Sequence, residues 1–289
     1  MKLPQKIDLH MHSTVSDGTD SPEELLDRVR EAGLGLFALT DHDAAKGCSA
    51  ICRALRAGDP EFICGVEFSC RDTEGKYHIL GYGYDPDRRA VYRLIEKAHG
   101  LRIKKVKARI DFLRDEFGFV FPADEVEKLL SADNPGKPHI ANLMIKFGYA
   151  DTKETAIKEY INRRHFRSEY ILPEDAIGAI LESGGIPVLA HPSYGDGDDL
   201  ILGEDMNERL RHLIGIGLRG VEAFYSGFTE KLRCEMLSFA ERYDLYVTAG
   251  RDYHGKNKMI DLGDVGAQDG ISGTEGFRRF YNDVRKVHG

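Results

Sequence analysis

The chain has 289 residues, 42% hydrophobic and 30% charged, which is ordinary for a soluble globular protein and enough for one large α/β domain or a domain with an insertion. Its net charge of -8 argues against broad binding to a nucleic-acid backbone, but leaves room for a small cationic pocket that takes a phosphorylated metabolite. Five cysteines form no CxxC pair, and no apolar run is long enough to span a bilayer.

Residues 1–6 lead into the first apolar stretch with no signal peptide, so the expected setting is the cytoplasm, with reduced thiols. Ile7-Asp8-Leu9-His10-Met11-His12 reads as a buried strand that runs out into the polar turn Ser16-Asp17-Gly18. Side chains alternate along a strand, so His10 and His12 share one face, with Asp17 five residues on. Two neighbouring imidazoles in a core must each find a hydrogen-bond partner or a metal ion.

Ser21, Pro22 and Glu24 form a capping box with proline at the first helical position, predicting a helix to about residue 32 with Gly33 as its stop. A second apolar strand, 36–40, ends in Asp41-His42-Asp43. A short helix is expected over 48–56, where Cys48 and Cys52 are packing residues. A third strand, 62–66, ends in Glu67, and a fourth, 77–82, contains His78. Nearly continuous apolar strands alternating with helices predict a mainly parallel sheet with helices outside.

From 88 to 170 no strand pattern appears. Helices are expected to 117 and over 123–130, 138–147 and 152–162, an all-helical insertion between barrel segments 1–87 and 171–289. The α/β rhythm resumes at Pro173-Glu174-Asp175. Strands follow at 186–190, ending in His191-Pro192; at 220–223, carrying Glu222; and at 246–249, ending in Gly250-Arg251-Asp252-Tyr253-His254. An amphipathic helix over 274–288 closes the chain. Seven strands are visible, with no internal repeat.

Polar residues gather in or just past these strands: His10, His12, Asp17, His42, Glu67, His78, His191, Asp252 and His254. Barrel-type α/β folds place their sites at strand C-terminal ends. Imidazole with carboxylate suits Zn, Mn or Fe better than Ca or Mg alone.

These motifs, His10-Met11-His12-Ser13 through Asp17-Gly18, Thr40-Asp41-His42-Asp43, Gly65-Val66-Glu67, Ala190-His191-Pro192 and Asp252-Tyr253-His254-Gly255, resemble in order those of the PHP (polymerase and histidinol phosphatase) family. The resemblance covers about 1–85 and 170–265. It implies a distorted (β/α)7 TIM-like barrel with a trinuclear centre. It implies that His10, His12, Glu67 and Asp252 hold one metal. Glu67 would bridge to a second held by His78 and His191, and Asp17, His42 and His254 would hold a third. Three divalent ions against three carboxylates leave a positive balance that suits an anionic substrate such as phosphate, with water as nucleophile.

The insertion resembles that of the small phosphoesterases of this family, whose Gly-Arg-Pro-His-Ile-Ala reads here Gly136-Lys137-Pro138-His139-Ile140-Ala141. Lysine keeps the charge but loses the bidentate grip. Lys137 and His139, at a helix N-terminus, are candidate phosphate contacts. Arg163, Arg164 and Arg167 are candidates too, the alternative being a solvated face. Arg251 stands where relatives carry serine. These cations would suit a substrate with an additional phosphate, as in the cyclic phosphate dihydrolases of the family. Glu222 is either a partner of the site or a packed barrel-mouth residue. Asp8 and Asp41 either orient the histidines or cap turns. His99, His212 and His288 read as surface residues.

The expectation is a metal-dependent phosphoesterase that releases phosphate from a small ribose- or nucleotide-containing metabolite. Asp17, Glu67, His191, Asp252 and His254 would serve catalysis, with His191 or Asp252 passing the proton. The rivals are a 5′-3′ exonuclease on short oligonucleotides and a non-catalytic PHP module. No long nucleic acid and no membrane is expected as partner.

Overall fold

Seven strands lie side by side in chain order: β1 (Ile7–Asp8), β2 (Leu36–Leu39), β3 (Glu61–Arg71), β4 (Lys76–Tyr82), β5 (Ile186–Leu189), β6 (Gly220–Tyr225) and β7 (Tyr246–Gly250). The computed structural model describes residues 3–4, 6–164, 169–195, 200–263, 265 and 270–287. The segments running on from β1 and β7 pair with each other: Leu9 N donates to Ala249 O (2.9 Å), His12 N to Tyr253 O (2.8 Å) and Tyr253 N to His10 O (3.2 Å). The sheet is thereby nearly closed into a distorted barrel.

All neighbours are parallel except β4, which runs antiparallel to both β3 and β5. Four residues join β3 to β4, and a parallel crossover needs a dozen or more. The Asp72 carboxylate accepts from Glu74 N (2.9 Å) and Gly75 N (3.0 Å), which folds those four residues into a tight turn. Strand β3 also runs past the expected 62–66, because Phe68 and Cys70 continue its buried face.

The capping box of α1 (Pro22–Ala32) forms as expected. Ser21 Oγ accepts from Glu24 N (3.2 Å), Glu24 Oε2 accepts from Ser21 N (2.8 Å), and Gly33 takes the left-handed φ of 65°. This helix buries Leu25, Leu26 and Val29 against Met11, Phe37, Leu39 and Ile51. Each such side chain stabilises by roughly 1.5–3 kcal/mol. Helix α2 (Lys46–Ala54) covers the same cluster.

The chain divides into two compact units, Met1–Ile95 with Ile171–Gly289, and Glu96–Tyr170. The second is helical: most of α3 (Ala90–Phe117), then α4 (Ala123–Leu130), α5 (Lys137–Lys146) and α6 (Lys153–Thr155). The single helix expected over 152–162 is instead α6, a π-turn (Ala156–Tyr160) and a 3₁₀ turn (Ile161–Arg163). This unit has its own core of Val106, Leu113, Ile140, Met144 and Ala156, with Phe119 stacked 4.4 Å from Tyr149.

In the first unit α7 (Pro173–Glu182), α8 (Gly203–Gly215), α9 (Glu230–Arg242) and α10 (Glu275–Val284) complete the helices. Helix α10 buries Phe277, Phe280, Tyr281 and Val284. Among the described residues no helix is long and apolar enough to cross a membrane.

Candidate metal centre

Regular β1 stops at Asp8, yet alternation persists through residue 12. Met11 packs in the core beneath α1, while His10 and His12 turn to the opposite side. There they meet Glu67 of β3. Glu67 Oε2 lies 3.3 Å from His10 Nε2, 3.2 Å from His12 Nε2 and 3.1 Å from His42 Nδ1. Its Oε1 lies 3.0 Å from His78 Nδ1 and 3.2 Å from His191 Nε2. One buried carboxylate thus faces five imidazoles from four strands or their ends.

Asp252, just past β7, sets its Oδ1 3.5 Å from His10 Nε2, 3.3 Å from His12 Nε2 and 3.5 Å from His254 Nδ1. Asp17 is half-exposed on its turn, 3.3 Å from His254 Nε2, 3.7 Å from His12 Nδ1 and 3.9 Å from His42 Nε2. All nine predicted residues are brought together.

Three groups have ligand atoms mutually within 4.8 Å: His10, His12, Glu67 and Asp252; His12, Asp17, His42 and His254; and His42, Glu67 and His78. His12 and His42 each join two groups because each presents both ring nitrogens. His191 joins through Glu67 Oε1.

The chemistry of these atoms can be tested against a cation. His10 Nε2, His12 Nε2 and His42 Nδ1 lie 3.1–3.3 Å from Glu67 Oε2, and all four atoms are buried with no hydrogen-bond partner. A buried polar atom left unsatisfied costs about 1–3 kcal/mol. Four of them converging on one place suit a divalent ion with N and O ligands.

The charge balance points the same way. Burial alone would depress His12, but Asp252 and Glu67 outweigh it and push it up to about 9. His10 is raised despite its burial, by Glu222, Glu67 and Asp252. Burial would raise Glu67, yet His42, His10 and His78 hold it well below the carboxylate range. Burial brings His42 down to about 3 and also lowers His78. Protons on His10 and His12 thus offset carboxylate charge that a bound cation would offset instead, so cation and proton compete.

Supporting contacts orient the rings. Glu222 Oε1 lies 3.0 Å from His10 Nδ1, and its Oε2 accepts from His191 N (2.7 Å). This leaves His10 Nε2 turned to Glu67, the usual carboxylate–histidine support of a metal ligand. Asp41 accepts from Ser13 N (2.7 Å), Ser13 Oγ (2.8 Å) and Ser16 Oγ (2.7 Å), holding the turn that carries Asp17. Asp8 accepts from His10 N (3.3 Å) and Arg251 N (3.1 Å), tying the two ends of the barrel seam.

His191 (φ 28°) and Asp252 (φ 54°) have left-handed backbone, which costs a non-glycine residue about 1–3 kcal/mol and tends to cluster at functional sites. At Gly250 a Cβ would stand 2.1 Å from His10 Cβ and 2.6 Å from Glu222 Oε1, so only glycine fits.

Residues 8–178, more than half of the chain, match the PHP domain. The chain belongs to the PHP domain family. It is 29% identical to the phosphoribosyl 1,2-cyclic phosphate 1,2-diphosphodiesterase of Eggerthella lenta, over 86% of this chain and 94% of that one. It is 28% identical to a 5′-3′ exoribonuclease of Haemophilus influenzae (90% and 94%) and 29% identical to a 3′,5′-nucleoside bisphosphate phosphatase of Chromobacterium violaceum (86% and 87%). Among solved structures it superposes with TM-score 0.77 and 26% identity on a Bifidobacterium adolescentis protein named as a metal-dependent phosphoesterase, with 96% of each chain covered.

The cationic candidates of this PHP chain lie in both units. In the second unit Lys137 Nζ donates to Asn162 Oδ1 (2.6 Å), and His139 Nδ1 accepts from Gly136 N (3.3 Å). Burial lowers both Lys137 and His139, with Arg109 adding to the first and Lys153 and Arg102 to the second. Arg163 ends the 3₁₀ turn, and Arg164 lies 5.9 Å over the Phe112 ring. Arg251, in the first unit, has a buried Nε with no hydrogen-bond partner. Arg167 falls outside the described residues.

Two residues beside the site escaped the sequence reading. Tyr225 OH donates to Asp252 Oδ2 (3.1 Å), and the Lys258 ammonium contacts the same oxygen. The one available signal for Tyr225 was its place at the end of an apolar strand.

Proposed function

We propose that the chain hydrolyses phosphate esters of small ribose- or nucleotide-containing metabolites, releasing inorganic phosphate, with three divalent ions drawn from Mn, Zn or Fe. The observation that carries this reading is the convergence of six imidazoles and three carboxylates around four buried ring and carboxylate atoms without hydrogen-bond partners. When bound, the ions supply Lewis acidity at a phosphoryl oxygen and make water a nucleophile at neutral pH.

On this reading His10, His12, Glu67 and Asp252 hold one ion, Glu67, His78 and His191 a second, and Asp17, His42 and His254 a third. Glu67 serves two because its oxygens face different imidazoles. Glu222 keeps the His10 ring in place, and Asp41 keeps Asp17 at the rim. Of the two candidate proton donors, Asp252 has one oxygen toward the histidines and the other held by Tyr225 and Lys258, so His191 is the one left to pass the proton to the leaving oxygen.

Lys137, His139, Arg163, Arg164, Arg167 and Arg251 are the proposed phosphate contacts, within an inserted helical domain at 88–170 and at the end of β7. They carry more positive charge than one phosphate requires. A second, non-reacting phosphate would use that charge to position the reacting end. The relatives named as a cyclic phosphate diphosphodiesterase and a nucleoside bisphosphate phosphatase support this substrate class. A cytoplasmic setting belongs to the same proposal and agrees with five free cysteines.

A second reading, exonuclease action on short oligonucleotides, is favoured by the match to the Haemophilus influenzae exoribonuclease over 90% of this chain. One screen separates the two. Phosphate release is measured with added Mn²⁺ on nucleoside monophosphates, bisphosphates, cyclic ribose phosphates and short 5′-phosphorylated oligonucleotides. Fastest turnover of a two-phosphate metabolite supports the proposal. Fastest turnover of oligonucleotides supports the rival, and no release from any substrate overturns both.

A further inference from the structure

The two oxygens of Asp252 face different chemistry. Oδ1 points to His10, His12 and His254. Oδ2 points away from them, to the Tyr225 hydroxyl at 3.1 Å and the Lys258 ammonium, and Lys258 Nζ lies 3.1 Å from Tyr225 OH. The three groups close a small polar triangle on the outer side of the carboxylate. Tyr225 is also 5.6 Å, ring to ring, from His191, so it is packed against a second residue of the centre.

This arrangement depends on a β-bulge. Strand β6 pairs with β7 as Glu222 with Thr248, Phe224 with Ala249 and Tyr225 with Gly250, which leaves Ala223 as an extra residue. In a regular strand, residues three apart point to opposite faces. The extra residue reverses the alternation, so Glu222 and Tyr225 both reach the site, one to His10 and the other to Asp252. Bulges that re-aim a side chain recur beside active sites. The left-handed backbone of Asp252 supplies the matching turn on the β7 side.

We propose that Tyr225, backed by Lys258, is a positioning residue that occupies Oδ2 of Asp252 and so reserves the single oxygen Oδ1 for the metal centre. The inference rests on the proposed reading of Asp252 as a ligand. A carboxylate with both oxygens free can rotate or offer both. One whose second oxygen is held by two donors presents a fixed atom, and outer contacts of this kind commonly change metal affinity 10- to 100-fold. Lys258 acts in two opposed ways, since its donor fixes the carboxylate while its charge weakens the pull on a cation. The neutral change Tyr225→Phe is therefore the cleaner probe.

The test is Mn²⁺ binding by the full-length protein, measured by chelator competition at fixed pH alongside far-UV circular dichroism. Tyr225→Phe is expected to fold normally, to reach native Mn²⁺ stoichiometry at saturation, and to bind at least tenfold more weakly. At saturating Mn²⁺ its kcat should fall while KM stays within about twofold. Lys258→Arg, which keeps donor and charge, should bind within about threefold of the native protein. Native affinity and native kcat in Tyr225→Phe would overturn the inference and leave Lys258–Asp252 as an ordinary ion pair. Asp252→Asn tests the underlying reading separately. If it keeps all its Mn²⁺ at native affinity, Asp252 is no ligand; if it loses an ion while Tyr225→Phe binds normally, only the positioning role fails.

Discussion

Replacing Glu222 by glutamine removes one charge from the heart of the site with almost no change of shape. Glu222 is fully buried, its Oε1 is 3.0 Å from His10 Nδ1, and its Oε2 accepts from His191 N at 2.7 Å. The glutamine carbonyl can keep one of these contacts, but the charge-assisted bond to His10 is lost. Such a bond contributes about 1.5–3 kcal/mol, which corresponds to roughly ten- to hundredfold in Mn²⁺ affinity. Glu222→Ala should cost more, because it also removes the acceptor of the partly buried His191 N–H, at up to about 1–3 kcal/mol, and opens a cavity. The assay is Mn²⁺ titration by chelator competition, with metal-free melting curves as the control for folding. Glu222→Gln should bind weakly and melt several degrees below the native protein, since the bond is present without metal; Glu222→Ala should do worse on both. Native affinity in both variants would refute the reasoning and return Glu222 to a packing role.

Asp17→Asn and His254→Ala should each abolish turnover while far-UV circular dichroism stays native, since both lie outside the apolar core; near-normal turnover would remove their group from the mechanism. Lys137→Ala and His139→Ala should lower kcat/KM by about 1.5–3 kcal/mol each with metal content unchanged, and native kcat/KM in both would mean that this helix start does not grip substrate. A substrate with two phosphates should be turned over at least tenfold better in kcat/KM than its single-phosphate analogue, and parity would leave the arginines as solvated surface. The last expectation concerns acid stability away from the site. Asp59 is held down to about 2 from an ordinary 3.8, first by Arg30 and then by the Arg56 backbone. A depressed folded-state pKa stabilises above the unfolded value, and the gain vanishes as pH falls through the folded one. Asp59→Asn should therefore be less stable than the native protein in urea at pH 7, and the gap should close between about pH 4 and 2; a gap that persists at pH 2 would contradict the assignment.

The elements that the sequence announced most clearly were those set by local chemistry. Ser21, Pro22, Glu24 and Gly33 decide both ends of α1 through bonds made within one helical turn. The apolar runs at 36–39, 186–189 and 246–250 are strands buried on both faces, and the residues that end them are polar because they leave the barrel there. The direction of β4 was readable in principle, since four residues cannot cross a sheet, but hydrophobic pattern alone is blind to strand direction. The breakdown of the 152–162 helix into a π-turn and a 3₁₀ turn has no counterpart in its periodicity.

The nine metal-type side chains, their order and their positions at strand ends are properties of the sequence, because imidazole and carboxylate recur where an apolar run stops. Which nitrogen faces which oxygen is a tertiary matter. His12 and His42 present both ring nitrogens, so they join two groups apiece, and no spacing rule can divide them. Glu222 is one buried acid among several in the sequence, and becomes the support of His10 only when β6 lies beside β5 and the seam leaves β7 alone between β6 and β1. Tyr225 reaches Asp252 because one extra residue in β6 reverses the alternation of side chains, and Lys258 meets it from the loop after β7. Those contacts join residues 27 apart and more than 200 apart in the chain, at distances that only the closed barrel sets.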